Sequence, residues 1–106
     1  MVYQIGICDD EISTCSELEK ILMDYFKMAG LDVQINIWYC AEDFIRDVPQ
    51  KIKVDLLFLD IEMPGKNGVH VGEYIRNDIK DEAMHIIYIS SPIAKVCLKN
   101  QKKENV

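Results

Sequence analysis

The chain has 106 residues, 49% hydrophobic and 28% charged, with five glycines and three prolines. This balance suits one compact globular domain and excludes a low-complexity chain, and no apolar run approaches the ~18 residues needed to cross a bilayer. Eighteen acidic against twelve basic side chains give a net charge of −6, with 17 acidic and 8 basic groups in residues 1–94 and a basic tail carrying Lys95, Lys99, Lys102 and Lys103; an acidic body repels phosphate backbones and anionic lipid, so direct binding of nucleic acid or membrane is not expected.

The amino terminus, MVYQIGICDDE, has no basic region ahead of its apolar stretch, which argues against a secretory leader and for a cytoplasmic protein. Residues 3–8 read as a strand that runs into the acids Asp9, Asp10 and Glu11. From residue 13 the period becomes helical: Cys15, Leu18, Leu22, Tyr25 and Ala29 recur at spacings of three and four, with Ile21 and Met28 beside them. Thr14 followed by Glu17 fits a capping box, and Gly30 is a natural stop. Val33, Ile35, Ile37 and Tyr39 alternate with polar positions, the pattern of a half-buried strand, which leaves Trp38 on the polar side as a surface anchor or a partly buried helix contact. A short helix over 41–48 ends at Pro49.

Residues 54–59, VDLLFL, read as a central strand covered on both faces, ending in Asp60 and the loop IEMPGKNG. Val69, Val71, Ile75 and Ile79 fit a third helix, and 86–89, IIYI, a fourth strand running into Ser90. Met23, Met28 and Met84 read as packing residues, His70 as an exposed helix residue and His85 as a strand-start residue. Cys8, Cys15, Cys40 and Cys97 form no C-x-x-C pair and read as free thiols. The order β-α-β-α-β-α-β predicts a doubly wound parallel α/β sheet.

In such sheets functional groups gather at the carboxyl ends of the strands. Asp9 and Asp10 end the first strand, Asp60 the third and Ser90 the fourth. If the first and third strands are neighbours, three carboxylates converge, and Mg2+ suits an all-oxygen cluster better than zinc or copper. Asp60 then has the setting of a nucleophile toward a phosphoryl group, with the Ser90 hydroxyl as a donor to its oxygens.

These residues resemble the receiver domain of two-component response regulators. The resemblance rests on Asp9-Asp10 after the first strand, L-F-L-D-I-E-M-P-G-K-N-G around Asp60, the stretch from Gly68 to Arg76, and I-I-Y-I-S-S at 86–91. The first half looks most like receivers attached to LytTR-type DNA-binding domains. The resemblance implies a flavodoxin-like, CheY-like sheet in the order 2-1-3-4. It makes Asp60 the phosphoacceptor for a histidine kinase, with Mg2+ held by Asp9, Asp10, Asp60 and the backbone carbonyl of Glu62. Ser90 becomes the switch hydroxyl, and the implied output is transcriptional.

A receiver also has a fifth strand ending in Lys-Pro, and no K-P dipeptide occurs here. A single, C-terminally truncated receiver domain over 1–106 is therefore expected, with an atypical tail from about residue 93. Its fourth strand would be an apolar edge through which a homodimer forms. Two other readings stand beside this one. The first is a receiver-shaped interaction module that never carries phosphate. The second is a phosphatase of the haloacid dehalogenase type, whose general-acid position holds Glu62 in place of the aspartate its motif requires.

Overall fold

Apolar alternation and helical periodicity sort the chain into eight elements in the computed structural model, which describes residues 1–48, 50–63, 65 and 68–89. They are β1 (Val2–Cys8), α1 (Ile12–Ala29), β2 (Asp32–Trp38), α2 (Ala41–Asp47), β3 (Leu56–Asp60), α3 (Gly68–Glu73), a π turn (Tyr74–Asp78) that continues α3, and β4 (His85–Ile89). All strand pairs are parallel, in the order β2-β1-β3-β4. This is the CheY-like order expected from the sequence. Ser90 and the tail from residue 93 lie outside the described residues.

Register places Ile7 between Ile37 and Phe58, and Asp60 beside Ile89. Asp55 locks the start of β3. Its N–H donates to the Gln4 carbonyl at 2.7 Å, its carboxylate accepts from the Gln4 N–H at 2.9 Å, and its carbonyl accepts from His85 at 3.0 Å. On one face of the sheet, Phe44 and Val48 from the α2 segment and Val71 and Ile75 from the α3 segment close over Leu57, Leu59 and Met84. On the other, Cys15 and Leu18 of α1 cover Ile7, with Leu22, Ile35, Ile37 and Phe58 around them.

Several local expectations need correction. α1 begins at Ile12 with Glu11 as its N-cap, so Thr14 lies inside the helix and is no capping residue. The buried stripe of α1 is Cys15, Leu18 and Phe26; Tyr25 is exposed. Phe26 meets Tyr3 with the rings tilted at 55° and 5.7 Å between centroids, so of the two adjacent aromatics it is Phe26 that turns inward. Met23 and Met28 are exposed, whereas Met84 is buried. Trp38 is no surface anchor. It is buried, meets Phe44 edge-on at 5.1 Å, and its indole N–H donates to Asp47 Oδ2 at 2.9 Å. His70 is exposed on α3 and His85 starts β4, as expected.

The third helix changes pitch after Glu73. The Ile79 N–H reaches back to the Tyr74 carbonyl at 3.1 Å, closing a wider ring than an α-helix makes. The Arg76 guanidinium clamps the loop that follows, donating to the carbonyls of Asp81 at 2.6 Å and Met84 at 2.8 Å.

Candidate functional site: an acidic cluster at the ends of β1 and β3

Asp60 is the last residue of β3, and Asp9 and Asp10 follow directly on β1. Because β1 and β3 are adjacent and parallel, their carboxyl ends share one rim. A carboxylate oxygen from each of Asp9, Asp10 and Asp60 lies within 4.8 Å of the others. Asp9 and Asp60 are fully buried, and Asp10 is exposed. The rim thus has two fixed acids and one on its solvent side.

The two buried carboxylates are held alike. Asp9 Oδ1 accepts from the backbone N–H of Glu11 at 2.9 Å, and Asp60 Oδ1 from the backbone N–H of Glu62 at 3.0 Å. The Asp9 main chain is also fixed. Its N–H donates to the Trp38 carbonyl at 3.0 Å, and its carbonyl accepts from the Cys15 thiol at 3.4 Å.

The loop after Asp60 depends on Gly68. Its N–H donates to the Ile61 carbonyl at 2.9 Å, and a Cβ there would stand 2.5 Å from the Asp60 carbonyl oxygen. Only glycine permits that approach, and Gly68 is the glycine that closes the IEMPGKNG stretch.

Cys8 sits directly behind the cluster. Its thiol lies 3.8 Å from the Cys40 carbonyl and 4.0 Å from the Met63 thioether. Burial first, then the neighbouring Cys40 and Asp9, pushes this thiol far up from its ordinary 9.0. Among the sequence-predicted site residues, the structure brings Asp9, Asp10 and Asp60 together. It sets Glu62 at the rim through its backbone with its side chain exposed. Ser90 is outside the described residues.

Three clustered carboxylates repel one another, and a hard dication relieves that repulsion with the oxygen ligands it prefers. The donor set is all oxygen, so it fits magnesium.

The parallel sheet in the order β2-β1-β3-β4, with acids at the ends of β1 and β3, has the CheY-like fold. Residues 5–103 match the family model described as response regulator receiver domain, and the chain belongs to that family. It is 37% identical over 93 residues to the sensory transduction protein LytT of Oceanobacillus iheyensis, a match covering 86% of this chain and 35% of that protein. It is 30% identical over 89 residues to stress response regulator protein 1 of Candida albicans (strain SC5314), covering 84% of this chain and 30% of the relative. The chain thus spans about a third of the length of these curated relatives.

The fold is shared with solved receivers. The BeF3-activated DrrB receiver domain superposes with a TM-score of 0.63 at 15% identity, over 97% of both chains. A CheY-like receiver from Methanospirillum hungatei JF-1 gives 0.60 at 18% identity, over 99% of this chain and 94% of that one.

Proposed function

We propose that this domain accepts a phosphoryl group on Asp60 from the phosphohistidine of a histidine kinase and passes the signal to a transcriptional output in the cytoplasm. The observation that carries the reading is the convergence of Asp9, Asp10 and Asp60 within 4.8 Å. Asp9, Asp10, Asp60 and the Glu62 backbone carbonyl are the proposed holders of Mg2+. Bound there, the ion supplies positive charge that offsets repulsion between the carboxylate and the phosphoryl oxygens.

The step itself is a displacement at phosphorus. A carboxylate oxygen of Asp60 forms the new P–O bond as the P–N bond breaks, and the imidazole leaves with its electron pair. The Glu62 N–H on Asp60 Oδ1 fixes the carboxylate plane, so the attacking group is oriented before donor arrives. Burial of Asp60 beneath the rim limits access by water, which slows hydrolysis of the acyl phosphate. Ser90 is proposed as the switch hydroxyl that donates to a phosphoryl oxygen after transfer.

The domain is proposed as a signalling module without turnover of an external substrate. The net charge of −6 supports the absence of direct nucleic-acid binding. No helix among the described residues is long and apolar enough to cross a membrane. Homodimerisation through β4 is part of the proposal, supported by exposed Ile87 and Tyr88 and by an apolar groove that Tyr88 lines with Ile61, Val69 and Gly72.

Incubation with acetyl phosphate and Mg2+, read by intact mass, tests the reading. One added phosphoryl group is expected, lost when Mg2+ is chelated and absent in Asp60→Asn. An unmodified wild-type mass under conditions where Mg2+ binds would leave a receiver-shaped interaction module as the function. Light scattering tests the dimer, and a monomer at high concentration would overturn it.

A further inference from the structure

The first turn of α1 holds a hydroxyl that phosphoacceptor chemistry leaves without a role. Thr14 is only 3% exposed, and its Oγ1 donates a short hydrogen bond to Glu11 Oε1. Ser13 donates to the same oxygen at 3.3 Å. Glu11 is exposed, in extended backbone at φ −93° and ψ 109°, and its own N–H is the one that donates to Asp9 Oδ1 at 2.9 Å. The adjacent Cys15 donates from the same turn to the Asp9 carbonyl at 3.4 Å. One turn of helix therefore grips Asp9 twice, at its main chain through Cys15 and at its carboxylate through Glu11.

We propose that Thr14 and Glu11 are positioning residues for the dication site: the Thr14 hydroxyl pins the Glu11 side chain, which fixes the Glu11 peptide, whose N–H orients the Asp9 carboxylate. This deepens the Mg2+ reading and rests on it. Glu11 is a tether here rather than a ligand. A carboxylate oriented in advance gives up less rotational freedom when a cation arrives, which is how groups one step removed from a metal tune its affinity. The buried position of Thr14 suits this role. Valine there keeps the shape and removes only the hydroxyl, so the hydrogen-bond chain can be cut without emptying the site.

Calorimetric titration of the full chain with MgCl2, at a temperature where circular dichroism shows every variant folded, separates the possibilities. Thr14→Val is expected to raise the Mg2+ Kd about three- to tenfold, at or below the low end of neighbouring-group effects because it acts through a peptide. Thr14→Ser, which keeps the donor, is expected to restore affinity to within about twofold of wild type. Glu11→Ala, at an exposed position, is expected to weaken binding as Thr14→Val does and covers the case in which valine fails to fold. Asp9→Asn is expected to abolish the binding heat.

Binding by Glu11→Ala and Thr14→Val as tight as wild type, with Asp9→Asn silent, would overturn the positioning role and leave the metal site standing. A serine variant as weak as the valine variant would also overturn it. A wild-type chain that takes up no Mg2+ would overturn the metal reading itself, and this inference with it.

Discussion

Along β3 the side chains are enclosed, while along β4 they are half open. Leu57 and Leu59 are fully buried, whereas on β4 Tyr88, which pairs with Leu59, and Ile87, which pairs with the half-buried Phe58, are each 46% exposed. The acids stand on the enclosed strands: Asp60 ends β3, and Asp9 follows β1, which is paired on both sides. A reacting carboxylate has to hold its place, and strands anchored by neighbours on both edges provide that rigidity. β4, with more of its side chains in water, has less apolar burial to hold it among the described residues.

The contrast is sharpest in core substitutions. Phe44→Ala removes a fully buried ring that meets Trp38 edge-on, and is expected to cost about 3–5 kcal/mol. Ile87→Ala on the open strand is expected to cost about 1 kcal/mol or less, because nearly half of that side chain is already in water. Urea midpoints measure both, and equal losses would contradict the division into an enclosed centre and an open edge.

Next in size is Gly68→Ala. Its added Cβ would stand 2.5 Å from the Asp60 carbonyl, so the backbone beside the acid must shift, at an expected cost of about 1–3 kcal/mol. Gly30→Ala is the control: space there is open, but φ is +71°, and about 1 kcal/mol is expected. The two separate in Mg2+ binding, which Gly68→Ala should weaken and Gly30→Ala should leave unchanged.

The smallest effect concerns acid. The Trp38 indole N–H first, and then Arg46, hold the Asp47 carboxyl below its ordinary 3.8. Its folded value is thus lower than its unfolded one, so the unfolded chain binds the proton more readily. The contribution of Asp47 is present above that ordinary value and is lost as pH falls through the folded one. Asp47→Asn should lower stability modestly at pH 7, and its difference from wild type should shrink as pH falls below about 4, so the acid limb of the stability profile flattens. Trp38 fluorescence in urea at both pH values reads this directly.

How much the sequence reveals differs between the site and its surroundings, for a physical reason. An apolar run that stops at an acid is a local signal, so Asp9, Asp10 and Asp60 stand out, and the alternation of elements places them on one rim. Side-chain direction at a helix edge depends on what faces it. Tyr25 and Phe26 are adjacent and equally apolar, and only the contact of Phe26 with Tyr3 decides between them. Trp38 lies on the same side of the sheet as Leu57 and Leu59, where α2 brings Phe44 over it, so a residue that alternation assigns to water is buried. Thr14 and Glu17 spell a capping box, yet the N-cap is Glu11, three residues earlier, and the Thr14 hydroxyl turns back to Glu11. The pitch change after Glu73 leaves no mark in the apolar spacing, because Val71 and Ile75 still reach the core.

Asp60, and neither of its acidic neighbours, is the proposed phosphoacceptor. Borohydride reduces an aspartyl phosphate to homoserine, so treatment after acetyl phosphate and Mg2+, followed by peptide mapping, marks the residue that carried it. Homoserine at position 60 alone is the expected result. Homoserine at position 9 or 10, or at no position in a chain that binds Mg2+, would contradict the account.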